Sequence, residues 1–145
     1  MATLPLPSMQ HIQVRATLAL APLSGFRKKI VTVPEWGKAA VTIREPSSKG
    51  WIEWQQVISP EVPEGQEPVK MTPAQTVHRN MQADVILFID VLLDENDQPV
   101  FKEEDRAQVE KIYGPVHSRL LKQALELSTT AEAAEKKSES PAPSS

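Results

Sequence analysis

A chain of 145 residues has room for one domain. It is 40% hydrophobic and 24% charged, as soluble globular proteins are, and its 16 basic against 19 acidic residues leave a net charge of -3, which argues against a nucleic-acid binder. The absence of cysteine excludes disulfide frameworks, thiol nucleophiles and cysteine-ligated zinc. The longest apolar-rich run, Val85 to Leu93, spans 9 residues and contains Asp90, far short of the about 20 needed to cross a membrane. The opening MATLPLPSMQHIQVR lacks the charged start and apolar block of a secretory signal. These features lead us to expect a soluble cytoplasmic protein that binds neither nucleic acid nor membrane.

Residues 1–14 contain Pro5 and Pro7 and no clear period, and are expected to be loosely ordered. The following ATLALAPLSGF fits a short strand or a helical turn equally well. Lys29 to Val33 is rich in β-branched residues and is stopped by Pro34. Ala40 to Arg44 alternates apolar and polar side chains up to Pro46. With the turn at Glu35, Trp36 and Gly37, these predict an antiparallel hairpin over about 29–44, which needs a cover because two strands alone are marginal in water.

Trp51, Trp54 and Ile58 recur at spacings of three and four behind Ser47 and Ser48, which predicts a helix over 47–58. The run PEVPEGQEPVKMT, from Pro60 to Thr72, reads as a linker or surface loop. Thr72-Pro73 is a strong helix start. Val77, Met81, Val85, Phe88 and Leu92 follow at spacings of 4, 4, 3 and 4, which predicts a helix over 72–93. Ile86, Leu87, Ile89, Val91 and Leu93 make its second half apolar nearly all round. A strand over Val85–Leu93 is the rival reading. DENDQP is a turn, and helices follow over 103–113 and 115–128, separated by Gly114-Pro115. The tail from 129 to 145, built from Ser, Thr, Ala, Glu, Lys and Pro, is expected to be disordered. The fold class is α+β, mainly α: a small antiparallel helical bundle with an N-terminal β-hairpin in a single domain over 15–128.

No catalytic constellation emerges. Asp94, Asn96 and Gln98 alternate as in a calcium loop, but Pro99 stands where such a loop needs glycine, and Asp105 where it prefers glutamate. His11, His78 and His117 are far apart, and there is no nucleophile elbow or phosphate-binding glycine motif. Asp84 and Asp90, six apart, do not share a helix face and read as polar residues at the helix rim or contacting a partner. Arg27-Lys28-Lys29 reads as a solvated strand entry. Trp51 and Trp54 read first as core anchors, second as a protein interface. The expectation is a binding module without enzymatic activity, metal or cofactor.

Two stretches carry a resemblance. Val31-Thr32-Val33-Pro34-Glu35-Trp36-Gly37, followed by Val41-Thr42-Ile43-Arg44-Glu45, resembles the opening of tail assembly chaperones of long, non-contractile-tailed bacteriophages. DVLLDENDQPVF, from Asp90 to Phe101, with the acidic helix start and the final ALELS, is similar to their second half. The resemblance spans Val31 to Ser128. It departs from the family at Gln98, where glycine is usual, and in the length of the insertion Pro60–Lys70.

The resemblance implies a chaperone that binds the tape measure protein and tail tube subunits, keeps them soluble in the host cell cytoplasm and is absent from the mature virion. It also makes a homo-oligomer plausible, and a longer frameshifted form would diverge in the tail. On this reading Trp51, Trp54, Val85, Phe88, Ile89 and Leu92 are the candidate partner-binding residues, because the helix carries more apolar surface than one buried face requires. The alternative is a structural tail completion or connector protein. A third reading is a small adaptor outside phages.

Overall fold

The structure is a computed structural model that describes residues 9–139, with side-chain surroundings for 15–129. In chain order it runs α1 (Met9–Leu20), β1 (Lys28–Val33), β2 (Ala39–Arg44), α2 (Ser48–Ile58), α3 (Pro73–Val91), β3 (Leu92–Leu93), α4 (Arg106–Ile112) and α5 (Pro115–Glu139). It is mainly helical with one small antiparallel sheet of order β1-β2-β3.

β1 and β2 form the expected hairpin, in register from Lys28 opposite Arg44 to Val33 opposite Ala39. A 3₁₀ turn over Pro34–Trp36 connects them and ends at Gly37 in the left-handed region, φ 63°. That conformation is open to glycine without a Cβ penalty. Arg119 of α5 grips Glu35 in this turn with two parallel 2.7 Å hydrogen bonds, and they hold the Glu35 carboxyl down at about 2. The hairpin is thereby fastened to the last helix.

α3 begins as its sequence dictates. Gln75 N–H donates to the Thr72 hydroxyl at 3.1 Å, Thr72 N–H donates to Gln75 Oε1 at 2.9 Å, and Pro73 occupies the first helical position. Its end differs from the expected 93. The helix stops at Val91, and Leu92 and Leu93 extend into β3, pairing with Ile43 and Thr42. The helix reading holds to Val91, and the rival strand over Val85–Leu93 fails except at Leu92 and Leu93. The last two residues of the run close the sheet.

Val85, Leu87, Phe88, Ile89, Val91 and Leu92 join Val33, Ile43, Val109, Leu120, Leu121 and Ala124 in the core. α3 lies against α2, α4 and α5 at once. Three neighbours explain why a helix apolar on most faces is needed: each face has its own cover. The stripe leaves the core at its upstream end: Met81 still packs against it, while Val77 is 69% exposed.

Both ends of the chain depart from expectation. Residues 9–14 and the start of ATLALAPLSGF belong to α1, a helix whose residues 15–20 are all exposed; residues 1–8 lie outside the described region. α5 runs to Glu139, eleven residues beyond the expected 128. TAEAAEKK is rich in good helix formers, so the extension follows from propensity and an established nucleus rather than from burial. Residues 140–145 of the expected disordered tail also lie outside the described region.

The turn after β3 shows what its polar residues do. Asp94 Oδ1 accepts hydrogen bonds from the Asn96 and Gln98 amides at 2.8 and 2.9 Å, and Asp97 takes the left-handed position, φ 61°. Aspartate tolerates that region better than most residues. The left-handed residue is thus Asp97, one place before Gln98, and the turn needs no glycine. Asp94 is occupied by backbone amides. Among the described residues no group of three acidic or histidine side chains is placed to hold a metal.

Candidate protein-interaction surface

Asp90 organises the junction from which the candidate surface extends. It is not a rim residue. Its Oδ1 accepts from Arg44 at 3.0 Å and from the Ser47 hydroxyl at 2.8 Å, and its Oδ2 accepts from Ser47 N–H at 2.7 Å. The Ser47 hydroxyl in turn accepts from Gly50 N–H at 3.1 Å, capping α2. One carboxylate therefore joins the end of β2, the start of α2 and the last turn of α3. A Cβ at Gly50 would meet Asp90 Oδ2 at 2.5 Å, so glycine is what allows the helix to approach. The pair is mostly withdrawn from water, with side chains 12% and 16% exposed. Fixed there, α2 is also tied by Glu53 to Arg106 at the start of α4, and by Lys49 to Glu103, in the 3₁₀ turn before α4, at 2.7 Å.

The six candidate residues now divide. Val85, Phe88, Ile89 and Leu92 lie in the interior of a single chain, between 0 and 8% exposed. The apolar excess that marked them as a surface is absorbed by α2, α4, α5 and the sheet. Phe88 meets Phe101, Tyr113 and His117 in one aromatic cluster, at ring distances of 6.4, 5.8 and 5.2 Å. Trp54 is partly buried against the core, and Trp51 sits edge-on to it at 5.5 Å while remaining 41% exposed. Of the six, Trp51 alone presents a large exposed face. Ile52 beside it is more exposed still, at 59%.

Sequence reasoning missed a second apolar region. Where α2 ends, the loop 59–72 and the first turns of α3 enclose a groove of about 610 Å³ lined by Val57, Pro60, Val69, Met71, Ala74 and His78. An adjoining hollow of about 480 Å³ is lined by Val62, Pro63, Pro68 and again Val69 and Met71. Arg79 lines both. It reaches Met71 Sδ at 3.5 Å, and its buried Nε–H has no acceptor among the described residues. A periodicity search passes over this region because it is a loop with scattered valines. The available signal was the apolar content of an otherwise acidic, proline-rich insertion.

His117 stands apart from this surface. Its Nδ1 accepts from Gly114 N–H at 3.1 Å, which fixes a neutral ring in the first turn of α5, and burial holds its pKa below the ordinary 6.5. A helix N-terminus also disfavours a cation. Burial lifts the Asp84 carboxyl, and burial with the Asp84 charge raises the Tyr113 hydroxyl. Among the described residues, no helix is long and apolar enough to cross a membrane.

Comparison with known proteins agrees with the fold. The family model for phage tail assembly chaperones matches residues 14–137. The solved structure of the tail assembly chaperone of bacteriophage HK97 is 49% identical in sequence, with a TM-score of 0.69, over 79% of this chain and 97% of that one. No curated protein matches the chain.

Proposed function

This chain belongs to the phage tail assembly chaperone family, and from that premise we propose that it binds the tape measure protein and tail tube subunits and keeps them soluble while the tail is built. It does so without catalysis. It acts in the host cell cytoplasm and leaves before the virion is complete. The client surface is the outer side of α2, with Trp51 and Ile52, and the groove between α2, the 59–72 loop and α3. Trp54 supports Trp51 from beneath. Val85, Phe88, Ile89 and Leu92 contribute by holding α3 in place.

One observation carries this reading. The core is closed, yet Trp51, Ile52, Val62, Val69 and Met71 are exposed by 41, 59, 43, 87 and 39% along α2 and its following loop. The exposed parts of these side chains add nothing to the packing of that core. Contacts spread along such a surface suit a long client with recurring apolar segments, since several weak contacts together hold what no single one could.

Co-expression with a tape measure fragment that is insoluble alone tests the proposal. Wild-type chain is expected to move the fragment into the soluble fraction, and Trp51→Glu combined with Ile52→Glu to reduce that strongly while the variant itself stays folded. Full rescue by this variant and by Val69→Glu would place the client elsewhere. Mass spectrometry of purified virions separates the chaperone from a structural tail component: the chain is expected to be absent.

A further inference from the structure

The edges of the sheet are finished in different ways. β3 is only two residues long, and the turn after it covers its outer side: Leu93 bridges to Pro99, and Val100 N–H donates to the Leu92 carbonyl oxygen at 3.4 Å. Shortness and a proline are usual ways of closing an edge. β1 is six residues long and has β2 on one side only. Glu45 N–H donates to the Arg27 carbonyl oxygen at 3.1 Å, one step beyond the pairing of Lys28 with Arg44. Antiparallel ladders alternate, so Lys29, Val31 and Val33 bond to β2, and the N–H and C=O groups of Lys28, Ile30 and Thr32 point away from it. Among the described residues no strand lies on that side.

The side chains of β1 add two conditions on what can pair there. Val33 is buried in the core and Val31 packs against it, so Ile30 stands on the opposite face, where it is 73% exposed. The basic triplet at the strand entry is only partly neutralised. Lys28 pairs with Asp97 at 2.7 Å, whereas Lys29 has no ion pair among the described residues. An uncovered edge accepts an extended chain, held by main-chain hydrogen bonds and selected by alternate side chains. We propose that β1 receives an extended segment of a partner protein as a further antiparallel strand, with a β-branched side chain beside Ile30 and a carboxylate opposite Lys29. A second copy does not supply that carboxylate. From Met1 to Pro34 the chain has no acidic residue, so a second β1 brings only more of the same charge. Lysine on an edge also guards against indiscriminate pairing. Here it makes an acidic strand the one that is admitted. None of the residues from Lys28 to Val33 lines the groove beside α2, so this site is separate from the client surface.

The experiment follows backbone amide shifts and exchange of the full chain by NMR as the capped peptide acetyl-Val-Thr-Val-Glu-Thr-Glu-amide is added to millimolar concentration. The amides of Lys28, Ile30 and Thr32 are expected to gain protection, while those of Lys29, Val31 and Val33, already bonded to β2, change little. Lys29→Glu is expected to weaken binding of this peptide by about threefold. The same peptide with lysine in place of glutamate is expected to bind the variant more tightly than it binds wild type. Ile30→Pro removes one outer N–H while leaving the bonds to β2, as proline on an edge strand can, and is expected to abolish binding. Should that variant not fold, the charge exchange at the exposed Lys29 decides alone. No protection at the outer amides, shifts confined to the groove beside α2, or equal binding of both peptides to wild type would each overturn the proposal. So would outer amides protected in the free chain in proportion to its concentration, because the occupant would then be a second copy.

Discussion

The two halves of α3 are the same helix in opposite circumstances. From Met81 onward it lies among α2, α4, α5 and the sheet, and Phe88, Val85 and Val91 are fully buried. In its first two turns Val77 is exposed, and Ala74, Gln75 and His78 line an open groove. The apolar half is the closed half, and the open half is the less apolar one. Apolar content reports on binding only after the neighbours are counted. A helix rich in valine, isoleucine and leucine is satisfied where three elements meet it, while a few valines on a loop remain unsatisfied.

This contrast can be tested from its strongest side first. Phe88→Ala should cost about 3–5 kcal/mol of folding stability, since it empties the centre of the aromatic cluster. Urea or thermal unfolding would measure it, and a change below about 1 kcal/mol would mean that this half of α3 is not the core.

Asp90→Ala leaves Arg44 without its partner and α2 without its anchor. Removing one side of a buried pair costs about 3–5 kcal/mol in the limit, and partial exposure brings the expectation here to about 2–3. Gly50→Ala pushes on the same carboxylate and should cost about 1–2 kcal/mol, with the two effects failing to add when combined.

A smaller effect concerns acid. The His117 pKa is lowered in the folded state, so the unfolded chain binds the proton more readily and stability falls as pH drops below 6.5. Above 6.5 the contribution is fully present. Asp84 works in the other direction: burial raises its pKa from 3.8, so the folded state holds the proton more tightly, and stability declines as pH rises through its folded value. Denaturation midpoints from pH 7 to 5 should fall for the wild type and fall less for His117→Phe. Equal slopes would remove His117 from the account.

The smallest stability effect is expected in the open half. Val69→Gln should lie within about 0.5 kcal/mol of wild type, because the side chain is already in water. The same change is expected to impair solubilisation of a client. A large loss of stability there would mean that the loop belongs to the core.

Much of this fold is legible in the residues. Thr72, Pro73 and Gln75 start α3 through side-chain hydrogen bonds that depend on local sequence alone. Pro34, Gly37 and the β-branched runs define the hairpin for the same reason, and Ser47 caps α2. The less legible features depend on distant partners. The run of α3 leaves a strand open as a rival reading but does not show that Leu92 and Leu93 alone leave the helix, because that depends on β2 offering a free edge. Asp90 looks like any polar residue on an apolar helix until Arg44 and Ser47, more than 40 positions earlier, arrive beside it. The candidate surface was the least legible part. Periodicity points to Phe88 and Leu92, whose burial is tertiary, and passes over Val69 and Met71, whose exposure is tertiary too.

The most direct measurement is amide hydrogen exchange of the full chain with and without a tape measure fragment. Added protection is expected in α2, the 59–72 loop and the first turns of α3, with the segment from Val85 to Leu92 unchanged because it is already closed. Protection confined to Val85–Leu92 and α5, or no change anywhere on binding, would contradict the account.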